Sequence, residues 1–166
     1  MKTLILILLL PGALSAQGPP GCDNRPAYRQ FDFWVGEWNV SPTGINAVAA
    51  AGTSSIHAIN KNCAILENWT GSKGGNGKSL NFYNASTGKW QQIWTDAGGG
   101  VTFFTGAFSD NAMRFEGESV GASGAKAPVR LTFYKLDSGQ VRQVGETSSD
   151  GGKTWAVTYD LTYTRR

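Results

Sequence analysis

The sequence predicts an all-β protein, an up-and-down antiparallel barrel of about eight to ten strands with a short N-terminal helical plug. The chain of 166 residues contains 22 glycines and many threonines and aromatic residues, a composition typical of strands and turns. Strand patterns recur between turn signals at intervals of roughly 8–12 residues. Short turns between all neighbouring strands favour a meander that closes on itself, because closure removes the exposed sheet edges.

The N-terminus has the layout of an export signal. Lys2 precedes an apolar run from Thr3 to Leu10, and small residues follow it, so residues 1–16 are predicted to be a signal peptide. The run is far shorter than the ~20 residues of a membrane helix. We therefore expect a periplasmic or extracellular protein without membrane insertion after cleavage, with an N-terminal arm at 17–30 and a single barrel domain at 31–166.

Cysteine content and charge limit the remaining possibilities. The two cysteines, Cys22 and Cys63, are expected to form a disulfide in an exported chain and to tie the arm to the barrel, the alternative being two buried thiols. The formal net charge of +3 falls to +2 without Lys2, and the basic residues are scattered. Nucleic acid is therefore not expected as a partner, and we expect a monomer.

The first predicted element is the aromatic cluster Phe31–Trp38, which reads FDFWVGEW. Phe31, Phe33 and Trp34 break the alternation of a strand, whereas Phe31 and Trp34 would share one face of a helical turn. We predict that this turn closes one end of the barrel and leads into the first strand near Gly36.

Ten strands are predicted after this turn. Ala47 and Ala49 in the second strand indicate a crowded interior or a bend, and the last strand carries aromatic and aliphatic residues in strict alternation from Trp155 to Tyr163. The predicted ranges are 37–41, 45–57, 63–70, 79–84, 89–96, 101–108, 111–120, 129–136, 140–147 and 154–164.

Two of these strands carry polar and indole side chains on one face. Glu67 shares a face with Trp69, and alternation from Trp90 to Asp96 aligns two tryptophans, a glutamine and an aspartate. Indole rings with a few polar groups are the usual composition of a small-molecule site. The predicted ligand-binding residues are Trp38, Glu67, Trp69, Trp90, Gln92, Trp94, Asp96 and Arg142.

Two other functions remain open. Glu67 and Asp96, if they face the barrel interior, would have raised pKa values and could serve as acid and base, with Arg142 or Arg130 as ion-pair partners. No Gly-x-Ser-x-Gly nucleophile motif is present, and no catalytic residue is assigned. The third possibility is a structural or interaction module whose barrel is filled by side chains.

Three motifs are interpreted as structural. Ser72–Ser79 is similar to a phosphate-binding loop but precedes a strand, so a hairpin loop is expected. Ser148–Trp155 matches the Asp-box pattern, in which Asp150 is expected to cap the amides of a turn. His57 is the only histidine, a poor basis for a zinc site; we predict no metal site and no cofactor, and haem binding through His57 is disfavoured.

Four segments together resemble a known family. FDFWVGEW at 31–38, ENW at 67–69, KWQQIWTD at 89–96 and SDGGKTW at 149–155 are similar to those of secreted bacterial barrel domains of the lipocalin-like, calycin type. The resemblance covers nearly the whole predicted mature chain. It implies a barrel fold but no activity, since that family has no assigned function.

Overall fold

The computed structural model describes residues 20–44, 50–120, 124 and 126–166. The predicted signal peptide at 1–16 and the alanine-containing part of the second predicted strand at 45–49 lie outside the described residues.

The fold is a closed barrel of ten antiparallel strands, which confirms the predicted fold class. Each strand pairs with its neighbour along the chain, and the first and last strands pair to close the sheet. The strands are β1 (Gly36–Pro42), β2 (Gly52–Ile59), β3 (Ala64–Gly71), β4 (Asn76–Asn84), β5 (Lys89–Asp96), β6 (Val101–Ser109), β7 (Ala112–Val120), β8 (Lys126–Lys135), β9 (Val141–Thr147) and β10 (Ala156–Arg165).

The aromatic cluster forms the predicted plug. A short helix α1 (Pro26–Arg29) precedes a 3-10 turn at Asp32–Trp34, which leads into β1. Phe31 and Trp34 are 0% exposed and their rings stack at 4.9 Å. Phe133 of β8 lies 4.5 Å from the Trp34 ring centroid, so the plug, residues 31–34, closes the barrel by aromatic packing. Within the described ranges, no helix is long and apolar enough to cross a membrane.

The disulfide between Cys22 and Cys63 is confirmed, with an S–S distance of 2.06 Å. The Cys22 amide also donates to the Lys61 carbonyl at 3.0 Å. The last part of the arm forms α1 just before the plug. Covalent attachment to the β2–β3 turn therefore holds the arm where it can order a helical turn.

The Asp-box is a turn staple, as predicted. The Asp150 carboxylate accepts hydrogen bonds from the amides of Lys153 and Thr154 at 3.0 and 2.8 Å and from the Thr154 hydroxyl at 2.6 Å. These bonds lower the pKa of Asp150 to about 2. The segment resembling a phosphate-binding loop is likewise confirmed as a hairpin turn, between β3 and β4.

The last predicted strand is present as β10, but its faces do not follow the alternation of the sequence along the whole strand. The pairing of β10 with β9 shifts register between Val157 and Tyr159, as at a β-bulge. Val157 is consequently 61% exposed, and Trp155 packs against the Arg130 guanidinium at 3.9 Å. After the bulge the alternating face turns inward, with Tyr163 fully buried.

Two strands start earlier than predicted. β4 begins at Asn76 instead of 79, and β8 at Lys126 instead of 129. Glycines and Pro128 in these stretches signal turns in the sequence, but backbone pairing with the preceding strand continues through them, for example between Glu118 and Pro128. The added rows lengthen the barrel at the end opposite the plug, here called the open end.

Candidate functional site

A cavity of about 470 Å³ occupies the barrel interior at the open end. It lies beyond the aromatic packing around the plug, and neither Phe31 nor Trp34 lines it. Residues of β3 and of β5 to β10 contribute to its lining. The barrel is thus filled at the plug end and hollow at the open end.

Buried polar side chains are hydrogen-bonded together on one side of the barrel, and two of them, Glu67 and Gln92, line the cavity. Glu67 of β3 accepts hydrogen bonds from the hydroxyls of Ser54 and Ser79 at 2.9 and 2.8 Å. The Asn81 amide donates to the Ser79 hydroxyl at 2.9 Å, and the Gln92 amide donates to the Asn81 oxygen at 2.6 Å. This hydrogen-bonded set, called the polar wall, consists of Ser54, Glu67, Ser79, Asn81 and Gln92. It extends across β2 to β5 because register pairs Glu67 with Ser79 and Asn81 with Gln92, and the Ser54 hydroxyl donates to Glu67.

The opposite side of the cavity is mainly apolar. Phe104 of β6, Val129 and Leu131 of β8, and Leu161 of β10 line it. In the closed sheet, β8 lies five strands from β3 in either direction, so this apolar wall faces Glu67. A ligand in the cavity would contact hydrocarbon on one side and hydrogen-bonding groups on the other.

Aromatic rings near the mouth lie over glycines. A Cβ atom added to Gly77 would come within 2.3 Å of the Trp94 ring, and one added to Gly145 within 2.3 Å of the Tyr159 ring. Glycine is therefore needed at both positions for the rings to lie against the sheet. Trp69 and Trp94 line the cavity beside the polar wall.

The electrostatics of the cavity centre on Glu67, which is 3% exposed. Burial raises its pKa from the ordinary 4.5 to about 7, although the two serine hydroxyls act in the opposite direction. Desolvation and the nearby Glu67 charge raise the pKa of Tyr159 to about 12 and that of Tyr163 well above its ordinary value. The Tyr163 hydroxyl donates to Gln143 at 2.7 Å. Both tyrosines are therefore neutral at physiological pH.

Four of the predicted ligand-binding residues line the cavity, namely Glu67, Trp69, Gln92 and Trp94. Trp38 and Trp90 are also inside the barrel but lie in the filled half. The Trp38 indole donates to the Trp34 carbonyl at 2.8 Å, and the Trp90 indole donates to the Gln30 side chain at 3.0 Å.

Asp96 and Arg142 lie elsewhere. Asp96 is exposed and accepts hydrogen bonds from the amides of Gly98 and Gly100 at 2.8 and 3.0 Å. It therefore does not meet the condition, an interior position, on which its role as acid or base depends. Asp96 is the last residue of β5, and its side chain caps the turn that follows the strand. Arg142 forms two hydrogen bonds with Asp160, at 2.9 and 2.6 Å, instead of pairing with Glu67 or Asp96.

Sequence reasoning missed the serines and Asn81 that support Glu67, and Gln143 and Tyr163 across the cavity. Alternation does place Ser79 and Asn81 on one face of their strand. The contact of Ser79 with Glu67, however, depends on the register between strands, which alternation within one strand does not define.

His57 lies outside the cavity. Its Nε2 atom is 2.7 Å from the Ser55 hydroxyl, and the side chain is exposed. Over the described ranges, no group of three or more histidine, cysteine, aspartate or glutamate residues could hold a metal ion. The absence of a metal site, and of haem binding through His57, therefore stays a prediction.

The fold and the cavity define the class of this protein as a closed ten-stranded antiparallel β-barrel with a hollow end. This architecture is consistent with a lipocalin-like barrel. No protein-family model matches the chain, and no curated protein matches it significantly.

The raised pKa of Glu67 predicts a pH-dependent stability. The folded protein binds this proton more tightly than the unfolded chain, so the Glu67 contribution to the unfolding free energy is fully present below pH 4.5 and is lost as the pH rises to about 7. The expected loss is about 3 kcal/mol. Glu67→Gln lacks this titration, because the amide stays neutral, and its stability relative to the wild type should rise over this pH range.

Urea unfolding of both proteins between pH 4 and 8 measures this difference. Glu116→Gln is the matched control, because Glu116 is exposed and pairs with Arg130 on the outer surface. A constant difference between Glu67→Gln and the wild type at all pH values would contradict the prediction.

Proposed function

We propose that this protein is an exported lipocalin-like barrel that binds one small, partly apolar molecule in the cavity at its open end. The proposal of export is supported by the sequence pattern at 1–16 and by the Cys22–Cys63 disulfide, since disulfides are typical of exported proteins. The proposal of ligand binding is supported chiefly by the cavity of about 470 Å³.

The size and lining of the cavity agree with this function. Small-molecule sites enclose roughly 300–1,000 Å³ and combine apolar surface with a few fixed polar groups. Here Phe104 and Leu131 supply apolar surface, and the polar wall is already hydrogen-bonded in a defined geometry. A binding site that is formed before the ligand arrives avoids the entropy cost of ordering it.

The two alternative functions receive less support. A filled structural module does not explain a cavity of this size. Acid–base catalysis by two interior carboxylates is less supported, because one of the two, Asp96, caps a turn. Glu67 remains as the buried carboxylate with a raised pKa, and we interpret it as a ligand contact.

A neutral apolar probe and a cavity-filling substitution test the proposal. N-phenyl-1-naphthylamine should show a saturable fluorescence increase with the wild-type protein. Ser119, a small residue of the cavity lining, changed to tryptophan should weaken this binding at least about tenfold, because the indole occupies the ligand volume.

Ser86→Trp is the matched control, because Ser86 is exposed in the β4–β5 turn at the plug end, and it should bind the probe like the wild type. No saturable signal with the wild type, or equal affinity in Ser119→Trp, would contradict the proposed function.

A further inference from the structure

Glu67 is an uncompensated acidic group inside the barrel. Its side chain is 3% exposed, and buried carboxylates in proteins are generally paired with a cation or protonated. The ion pairs of the described part of the chain do not include Glu67. Its hydrogen-bond donors there are two neutral hydroxyls, those of Ser54 and Ser79.

The ionisable side chains of the cavity lining do not compensate this charge. Arg130 contributes to the lining, but its guanidinium pairs with Glu116 at 3.1 Å and lies over the Trp155 ring at 3.9 Å. The remaining ionisable groups of the lining are Glu146, Tyr159 and Tyr163, which are acidic. The amides of Gln92 and Gln143 and the hydroxyls of Ser119 and three threonines also line the cavity and carry no charge.

The Glu67 carboxylate also has free acceptor capacity on the side of the cavity. Each carboxylate oxygen can accept about two hydrogen bonds, and the two serines provide one to each oxygen. Both serines belong to the neighbouring strands β2 and β4, so they hold the carboxylate from the sides of the sheet. A donor that enters the cavity can therefore reach the remaining lone pairs.

Two tryptophans share the cavity lining with this carboxylate. Trp69 follows Glu67 by two residues on the same face of β3, and Trp94 is paired with Ser79, which donates to Glu67. Both rings line the cavity. A carboxylate beside tryptophan rings is a favourable environment for an ammonium group, because the ring faces attract cations.

We propose that the ligand is a small amphipathic amine, whose ammonium group pairs with the Glu67 carboxylate between Trp69 and Trp94 while its hydrocarbon body lies against Phe104 and Leu131. This inference rests on the proposed function and names its ligand class. The ammonium group of the ligand supplies the cation for Glu67, which has no ion-pair partner among the described side chains.

Three ligands with one naphthyl body and different head groups test the inference. At pH 8, 2-(1-naphthyl)ethylamine should bind about ten- to hundredfold more tightly than 2-(1-naphthyl)ethanol, because a hydrogen bond between charged groups replaces a neutral one. 1-Naphthylacetate should bind most weakly, since like charges repel. Isothermal titration calorimetry gives the three affinities directly.

The pH dependence supplies a second readout. Such an alkyl amine stays protonated up to pH 8, whereas Glu67 exchanges its proton near pH 7 in the empty cavity. Affinity for the amine should therefore rise about tenfold or more between pH 5.5 and 8, while affinity for the alcohol should change little.

Glu67→Gln should abolish both the preference for the amine and its pH dependence while it retains binding of the alcohol, and Glu116→Gln should keep both. Equal binding of amine and alcohol by the wild type would overturn the inference and leave the proposed function intact. A preference for the amine that persists in Glu67→Gln would also overturn it. No binding of any naphthyl ligand or of N-phenyl-1-naphthylamine would overturn the inference and the proposed function together.

Discussion

Replacement of Trp34 by alanine is expected to lower the free energy of unfolding by about 3–5 kcal/mol. Trp34 is 0% exposed and stacks on Phe31 at 4.9 Å. Phe133 and Tyr163 approach its ring at 4.5 and 6.2 Å. Removal of the indole takes a large apolar surface out of this packing and leaves a cavity. The surrounding strands cannot move in to fill this cavity, because closure of the barrel fixes them.

Trp34→Phe is the informative control for this variant. The indole nitrogen of Trp34 is buried without a hydrogen-bond partner in the described part of the chain, which costs free energy. Phenylalanine removes this unsatisfied group and keeps an aromatic ring, so its destabilisation should stay below about 1.5 kcal/mol. Urea unfolding followed by near-ultraviolet circular dichroism measures both values. Equal losses in Trp34→Ala and Trp34→Phe would show that packing at the plug does not determine stability.

Loss of the Cys22–Cys63 disulfide is expected to cost about 4 kcal/mol of unfolding free energy. The bridge joins residues 41 apart in sequence, and the cross-link reduces the conformational entropy of the unfolded chain. In the folded protein it also holds the arm that precedes the plug, where Cys22 bonds to Lys61. The double variant Cys22→Ala/Cys63→Ala should therefore unfold at a clearly lower urea concentration.

Reductant separates the effect of the bridge from that of the substitutions. Dithiothreitol should destabilise the wild type by a similar amount and should leave the double variant unchanged. If reductant left the wild-type unfolding curve unchanged under conditions in which mass spectrometry shows free thiols, the disulfide would not be a stabilising element.

Local sequence patterns predicted much of this fold. Phe31 and Trp34 three positions apart indicated a helical turn instead of a strand, and the structure has a 3-10 turn there. The Asp-box around Asp150 was predicted because its hydrogen bonds connect residues within one turn. The strand 89–96 was predicted with its observed bounds, since alternation and the flanking turns mark both ends.

Prediction from local pattern failed where the geometry depends on a neighbouring strand. The bulge after Val157 is a shift in pairing with β9, and the alternation of the β10 sequence contains no sign of it. Asp96 continued the face of Trp90 and Trp94 in sequence, but the strand ends there and the carboxylate caps a turn. Arg142 was one of two possible partners for an interior carboxylate, yet it pairs with Asp160.

The sequence by itself determined the class of fold, the plug and the disulfide, because each depends on residue type and on short-range periodicity. It also placed Glu67, Trp69, Gln92 and Trp94 on common faces. Only the tertiary structure decided that these faces line a cavity, that Trp38 and Trp90 lie in the filled half, and that Glu67 is held by two serines without a cationic partner. These properties depend on how strands far apart in sequence are matched in register around the closed barrel, and on how far along its axis the aromatic packing extends.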